Sequence, residues 1–132
     1  MKKIFVNGCF DVLHPGHFKL FEYAKSLGDY LIVAIDSDRK VSEMKGSGRP
    51  IFCQEDRAYI LETIKYIDAV HIFDSKQGLE NLIKIINPDI LVVGSDWKGK
   101  EVVGAEHAKE VRFFDRVGTF STTKTIQGSS YR

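Results

Sequence analysis

Five short apolar runs punctuate the chain: Ile4-Phe5-Val6, Tyr30 to Ile35, Ala69 to Phe73, Ile90 to Val93 and Val111 to Phe114. They are rich in β-branched and aromatic residues and largely lack polar alternation, as strands covered on both faces do. Between them, apolar positions recur three and four residues apart. Phe18, Leu20, Phe21 and Ala24 follow Pro15-Gly16 and end at Leu27-Gly28; Ala58, Ile60, Leu61 and Ile64 fall within Gln54 to Tyr66; Leu79, Leu82, Ile83 and Ile86 are stopped by Asn87-Pro88. These spacings predict three amphipathic helices, with Pro suited to a first helical turn and Gly to a stop. Ser121-Thr122-Thr123 reads as the cap and first turn of a further helix. Residues 39–50 have no period and carry Lys40, Lys45, Gly46, Gly48, Arg49 and Pro50, so they read as a flexible basic loop. Alternating strands and helices, with no repeat or linker, predict one α/β domain over residues 1–132, a single doubly wound parallel sheet.

Composition narrows the partners. With 132 residues, 43% hydrophobic and 28% charged, the chain can bury its own core and is expected to be globular. Nineteen basic and 18 acidic side chains leave a net charge of +1, which argues against nucleic acid as a partner. Cys9 and Cys53 form no CxxC pair, so reduced thiols are expected. The N-terminus lacks the apolar centre of a signal peptide, and no apolar run approaches the roughly 18–20 residues that span a bilayer, so the expected setting is the cytoplasm, without membrane attachment. Sheet proteins of this size commonly dimerise, and a homodimer is expected.

Chemistry enters at Val6-Asn7-Gly8-Cys9-Phe10-Asp11-Val12-Leu13-His14-Pro15-Gly16-His17. This stretch reads as strand, loop and helix start, and it places His14 and His17 where free backbone N–H groups and the helix dipole favour an anion such as phosphate. Two other readings stand beside that one: a zinc pair, for which no second close His or Cys pair completes the set, and two solvated histidines without a task. Other polar groups follow predicted strand ends. Asp36-Ser37-Asp38 follows the second strand, and Gly94-Ser95-Asp96-Trp97 follows the fourth, at the carboxyl edge where open α/β sheets bind ligands. Turn residues and an anchoring Trp would look the same. Arg57 and Lys65, eight residues apart, share a face of their predicted helix. His71 and His107 read as structural.

Gly8-Cys9-Phe10-Asp11 followed by His14-Pro15-Gly16-His17 resembles the GxFD…HxGH signature of the cytidylyltransferase-like nucleotidyltransferases. The likeness extends through Gly94 to Lys100 and Arg116 to Ile126, and is greatest to small glycerol-3-phosphate cytidylyltransferases and to the nucleotidyltransferase domain that makes ADP-heptose. It implies a Rossmann-like fold and transfer of a nucleoside monophosphate from a triphosphate to a small polyol or sugar phosphate, releasing pyrophosphate. By resemblance, His14, His17, Lys45 and Arg116 are the catalytic groups. Gly8, Cys9, Phe10, Gly16, Gly94, Asp96, Ser121 and Thr122 would bind the nucleotide, and Arg57, Lys65 and Trp97 the acceptor and its phosphate. Asp11 or Asp38 would assist a magnesium ion, the expected cofactor. Lys65 stands where the glycerol-type enzymes usually have Arg, and Gly118 lies one place early in the R-T-x-G-x-S-T-T pattern. Arg116 and the Asp96 to Lys100 run favour CTP, whereas Lys45 to Pro50 and Val102-Val103-Gly104-Ala105 resemble the ATP-using heptose type; the expectation is CTP with a glycerol-phosphate-type acceptor. A regulatory module that binds nucleotide without turnover is the alternative from another class. A dinucleotide oxidoreductase is disfavoured, because no G-x-G-x-x-G follows the first strand.

Overall fold

Five strands form one sheet: β1 (Lys3–Gly8), β2 (Tyr30–Asp36), β3 (Ala69–Phe73), β4 (Ile90–Gly94) and β5 (Glu110–Phe114). All pairs are parallel, in the order β3-β2-β1-β4-β5. The coordinates are a computed structural model that describes residues 1–115. Arg116, Ser121 and Thr122, with the helix expected to open at Ser121, lie outside the described residues. The helices are α1 (Pro15–Ser26), α2 (Asp38–Lys45), α3 (Gln54–Glu62) and α4 (Lys76–Ile86), with short 3₁₀ turns at Ser95–Trp97 and Ala105–His107.

The chain steps outward from β1 to β2 to β3, then returns through α4 to β4 on the far side of β1. Crossovers of constant hand put the returning helix on the opposite face of the sheet from α1 and α3. Burial follows that division. Ile4, Val6, Leu31, Val33 and Ile35 pack with Phe21, Ala24 and Leu61 from α1 and α3, while Phe5, Ile32, Ala34 and Leu91 pack with Leu79 and Ile83 of α4. Adjacent strand residues thus serve opposite faces, as the pleat requires, and both faces are apolar. The parallel, doubly wound sheet expected from the apolar runs is the one found.

Two elements differ from expectation. The basic loop at residues 39–50 begins as a helix: the Ser37 hydroxyl accepts from the Lys40 N–H at 3.2 Å, Asp38 puts negative charge in the first turn, and Val41 is fully buried. One buried apolar residue in eight leaves no period to read. The helix predicted over Gln54 to Tyr66 ends at Glu62, with Thr63 as its cap. Lys65 therefore falls in the following turn, and it does not share a helix face with Arg57.

At the amino edge, carboxylates pin the strand starts. Asp68 accepts from the Leu31 N–H at 2.8 Å and from Lys25 Nζ at 2.6 Å; Asp89 accepts from the Lys3 N–H at 2.7 Å and from Lys109 Nζ at 3.0 Å. Burial alone would raise the Asp68 carboxyl, but Lys25 and the Leu31 N–H outweigh it and hold it low. The Lys3 N–H and then Lys109 hold Asp89 low. A carboxyl lowered by folding contributes stability that is present above the ordinary aspartate range, about pH 4, and is lost as pH falls through the lowered value. The unfolding midpoint in urea should therefore drop between pH 7 and pH 3, and the drop should be smaller in the Asp68→Asn/Asp89→Asn double variant. An equal drop would remove these two carboxylates as its source.

Candidate active site

Strand order reverses between β1 and β4, which opens a crevice at their carboxyl ends. A cavity of about 790 Å³, in the range that holds nucleotide-sized ligands, occupies it. Its histidine wall is set by backbone geometry. His14 caps α1 with an extended backbone, and its Nδ1 accepts from the Gly16 N–H at 3.1 Å. The His14 N–H in turn donates to Nδ1 of His17 at 3.1 Å. Together they make a reciprocal capping box, with imidazoles where Ser and Glu usually stand. Because both Nδ1 atoms accept, the proton of each neutral ring sits on Nε2. The two rings stack with centroids 3.8 Å apart, and the Phe10 ring meets His17 edge-on at 5.4 Å.

The loop between β1 and α1 is held in an unusual shape. Phe10 has φ of +48°, a region non-glycine residues rarely occupy, and its buried ring lies under Gly8. A Cβ at Gly8 would sit 3.0 Å from that ring, a tight contact that the ring must yield to by a few tenths of an ångström. Phe10 thus lines the cavity while its side chain belongs to the core. Burial pushes the Cys9 thiol up, with Lys45 pulling it partly back. It stays protonated at neutral pH, and is therefore not a nucleophile.

Lys45, at the end of α2, Gly94, the last residue of β4, and Asp96 and Trp97 just beyond it line the same cavity as His14, Gly16 and His17. Gly94 faces open space, with Asp96 Oδ1 the nearest atom at 3.9 Å from a Cβ placed there, and Trp97 is half exposed. A flat ring and a carboxylate beside bare backbone suit a base and ribose.

Four expected site residues are placed elsewhere. Arg57 is 1% exposed: its Nε donates to the Phe52 carbonyl at 2.9 Å, Nη1 to the carbonyls of Cys9 and Asp36 at 3.0 and 2.8 Å, and Nη2 to Asp38 Oδ1 at 2.8 Å. It is a structural tie, and no phosphate reaches it in this arrangement. Lys65 lies over the Tyr66 ring at 5.1 Å, away from the cavity. Asp11 is buried and accepts from the Ile51 and Phe52 N–H groups at 2.7 and 2.9 Å and from Arg49 at 3.3 Å. Asp38 pairs with Arg57, and neither aspartate lines the cavity. These carboxylates, already neutralised by arginines, do not fit the magnesium role the resemblance implied.

Charged cavity residues outside the expected set are Asp36, Lys40, Lys76 and Glu101, of which Asp36 belongs to the strand-end acidic run noted in the sequence. The readable signal was position: Asp36 ends β2, and Lys76 follows the helix cap Ser75.

A histidine-capped helix faces a crevice at the switch point of a doubly wound sheet, an arrangement suited to a nucleoside phosphate, and the chain belongs to the cytidylyltransferase-like family of nucleotidyltransferases, whose model matches residues 5–127. It is 53% identical over 124 residues to the bifunctional protein HldE of Nitratiruptor sp. and 50% identical over 123 residues to that of Campylobacter fetus. These alignments cover 94% and 93% of the chain but only 27% of each relative, so the chain spans about a quarter of their length. Among solved structures, it resembles the lipopolysaccharide core biosynthesis protein of Thermoplasma volcanium, with TM-score 0.72 and 25% identity over 89% of this chain and 99% of that one.

Arg57→Leu strands the carbonyls of Phe52, Cys9 and Asp36, and should cost about 3 kcal/mol or more of unfolding free energy. Arg57→Lys should not restore it, since an ammonium lacks the planar fork. A phosphate-binding Arg57 would give the opposite result in denaturation and kinetics: unchanged stability with a raised substrate KM.

Proposed function

We propose that the chain transfers a nucleoside monophosphate from ATP to the phosphate of a phosphorylated sugar of the heptose 1-phosphate type, giving an ADP-sugar and pyrophosphate. The observation that carries the transfer chemistry is the reciprocal cap of His14 and His17 at the cavity wall. In the reaction, a phosphate oxygen of the acceptor attacks the α-phosphorus in line. The bond from that phosphorus to the bridging α,β-oxygen breaks, and pyrophosphate leaves with the electron pair. No covalent nucleophile is needed, so catalysis rests on positioning and charge stabilisation. The two Nε2–H groups donate to the oxygens on which charge develops. Lys45, exposed at the end of α2, and Arg116 stabilise the charge on the triphosphate, and Ser121 and Thr122 hold its far end, as the resemblance implies. Asp96 accepts from base or ribose, and Trp97 offers its face. Magnesium would arrive already bound by the triphosphate oxygens.

The choice of ATP over the CTP favoured by the Asp96 to Lys100 run is supported by relatives at about half identity along nearly the whole chain, all named HldE. The heptose-type likeness of Lys45 to Pro50 agrees with them. We propose further that the enzyme works in the cytoplasm as a homodimer in the making of cell-surface polysaccharide precursors. Among the described residues no helix is long and apolar enough to cross a membrane.

Pyrophosphate release should be measured with ATP, CTP, GTP and UTP crossed against heptose 1-phosphate, glycerol 3-phosphate and longer polyol phosphates. ATP with heptose 1-phosphate should be the productive pair; turnover of CTP with glycerol phosphate instead would restore the glycerol-type reading. Nucleotide binding without pyrophosphate from any pair would favour the regulatory module. In the productive pair, His17→Ala should lower kcat about 100- to 1000-fold, the scale of one lost oxyanion donor, with nucleotide KM little changed.

A further inference from the structure

The cavity has a second wall that the transfer chemistry does not use. It is built from Asp36 and Phe73 at the carboxyl ends of β2 and β3, Lys40 of α2, Lys76 and Leu79 of α4, and Glu101 in the segment after β4. Two ion pairs stand on it. Lys40 Nζ lies 3.0 Å from Asp36 Oδ1, with the Asp36 side chain 9% exposed, and Lys76 Nζ lies 2.8 Å from Glu101 Oε1, with both side chains well exposed. Phe73 and Leu79, nearly buried, make the apolar floor, and the Lys40 ammonium sits 5.7 Å from the Phe73 ring centre.

The two pairs differ in what they can do. Asp36 and Lys40 are held in place by burial and by one another. The Lys76–Glu101 pair is a solvated link between the start of α4 and the segment after the Ser95–Trp97 turn, and exposed pairs of this kind contribute little to stability. Its charges can be redirected to a ligand at little cost. Their mutual bond raises Lys76 and lowers Glu101, so both are charged at neutral pH. A carboxylate accepts from a hydroxyl and an ammonium donates to one, so each pair matches a vicinal diol.

We infer that this wall is the acceptor's polyol subsite, where the Lys40–Asp36 and Lys76–Glu101 pairs each engage neighbouring hydroxyls of a sugar phosphate whose phosphate lies at the histidines. This rests on the transfer reading above and deepens it: the wall selects a long, polyhydroxylated acceptor. Glycerol phosphate has too few hydroxyls to satisfy both pairs, whereas a seven-carbon sugar phosphate has enough. Arg57 and Lys65, which the sequence suggested for the acceptor, have no part in it.

The test is steady-state kinetics of the full chain with Lys76→Met, Glu101→Gln and Lys76→Arg, on ATP with heptose 1-phosphate and with glycerol 3-phosphate. Losing a charge-assisted hydrogen bond corresponds to about a 10- to 100-fold change. Lys76→Met and Glu101→Gln should raise KM for heptose 1-phosphate by that factor and leave KM for ATP within about twofold. Preference for the seven-carbon over the three-carbon acceptor should shrink by the same factor, and Lys76→Arg should recover most of it. Both sites are exposed, so circular dichroism should show intact folds. An unchanged acceptor KM, or a rise in the ATP KM instead, overturns the subsite while leaving the transfer reading intact. No pyrophosphate from the unsubstituted chain with any pair overturns the transfer reading, and this inference falls with it.

Discussion

One buried guanidinium holds the site together. Arg57 reaches from α3 to the carbonyl of Cys9 in the loop after β1, to the carbonyl of Asp36 at the end of β2, to Phe52 before its own helix and to the Asp38 carboxylate at the start of α2. A planar group with several fixed donors can satisfy diverging carbonyls at once, which no apolar side chain can do. The shape of the loop beneath the histidines and the placement of α2, with Lys45 at its end, both depend on it. Asp11 does the complementary task with its two oxygens, fastening residues 49–52 against the same loop.

The histidine pair shows how local folding and chemistry use the same atoms. A helix start leaves backbone N–H groups unsatisfied, and here two imidazole nitrogens take part in satisfying them. That choice orients both rings and decides which nitrogen bears the proton, so the donors are set before any ligand arrives. Preorganisation of this kind avoids reorientation during the reaction.

Much of this was legible in the sequence because it depends on periodicity and on short-range spacing. The five apolar runs gave the strands, and the spacing of His14 and His17 around Pro15-Gly16 gave the helix start. What escaped depends on tertiary contact. Arg57 and a phosphate-binding arginine look identical in sequence; only burial among carbonyls separates them. Asp11 falls within a recognisable motif, yet its carboxylate turns toward the backbone of residues 51 and 52. Lys65 was misplaced by a helix that ended four residues sooner than its apolar spacing suggested, and α2 was missed because one buried valine makes no pattern. Lys76 and Glu101 come together only when α4 and the segment after β4 are folded beside each other.

The reversal of strand order assigns the walls of the cavity to different cores. The histidine wall stands on the packing of α1 and α3, and the opposite wall on that of α4 with the other face of the sheet. Substitutions that reshape one wall therefore disturb a hydrophobic cluster that the other does not share. A scaffold divided this way lets new acceptors be explored during evolution while the reacting centre is left alone, and the same division offers an engineer a face to randomise.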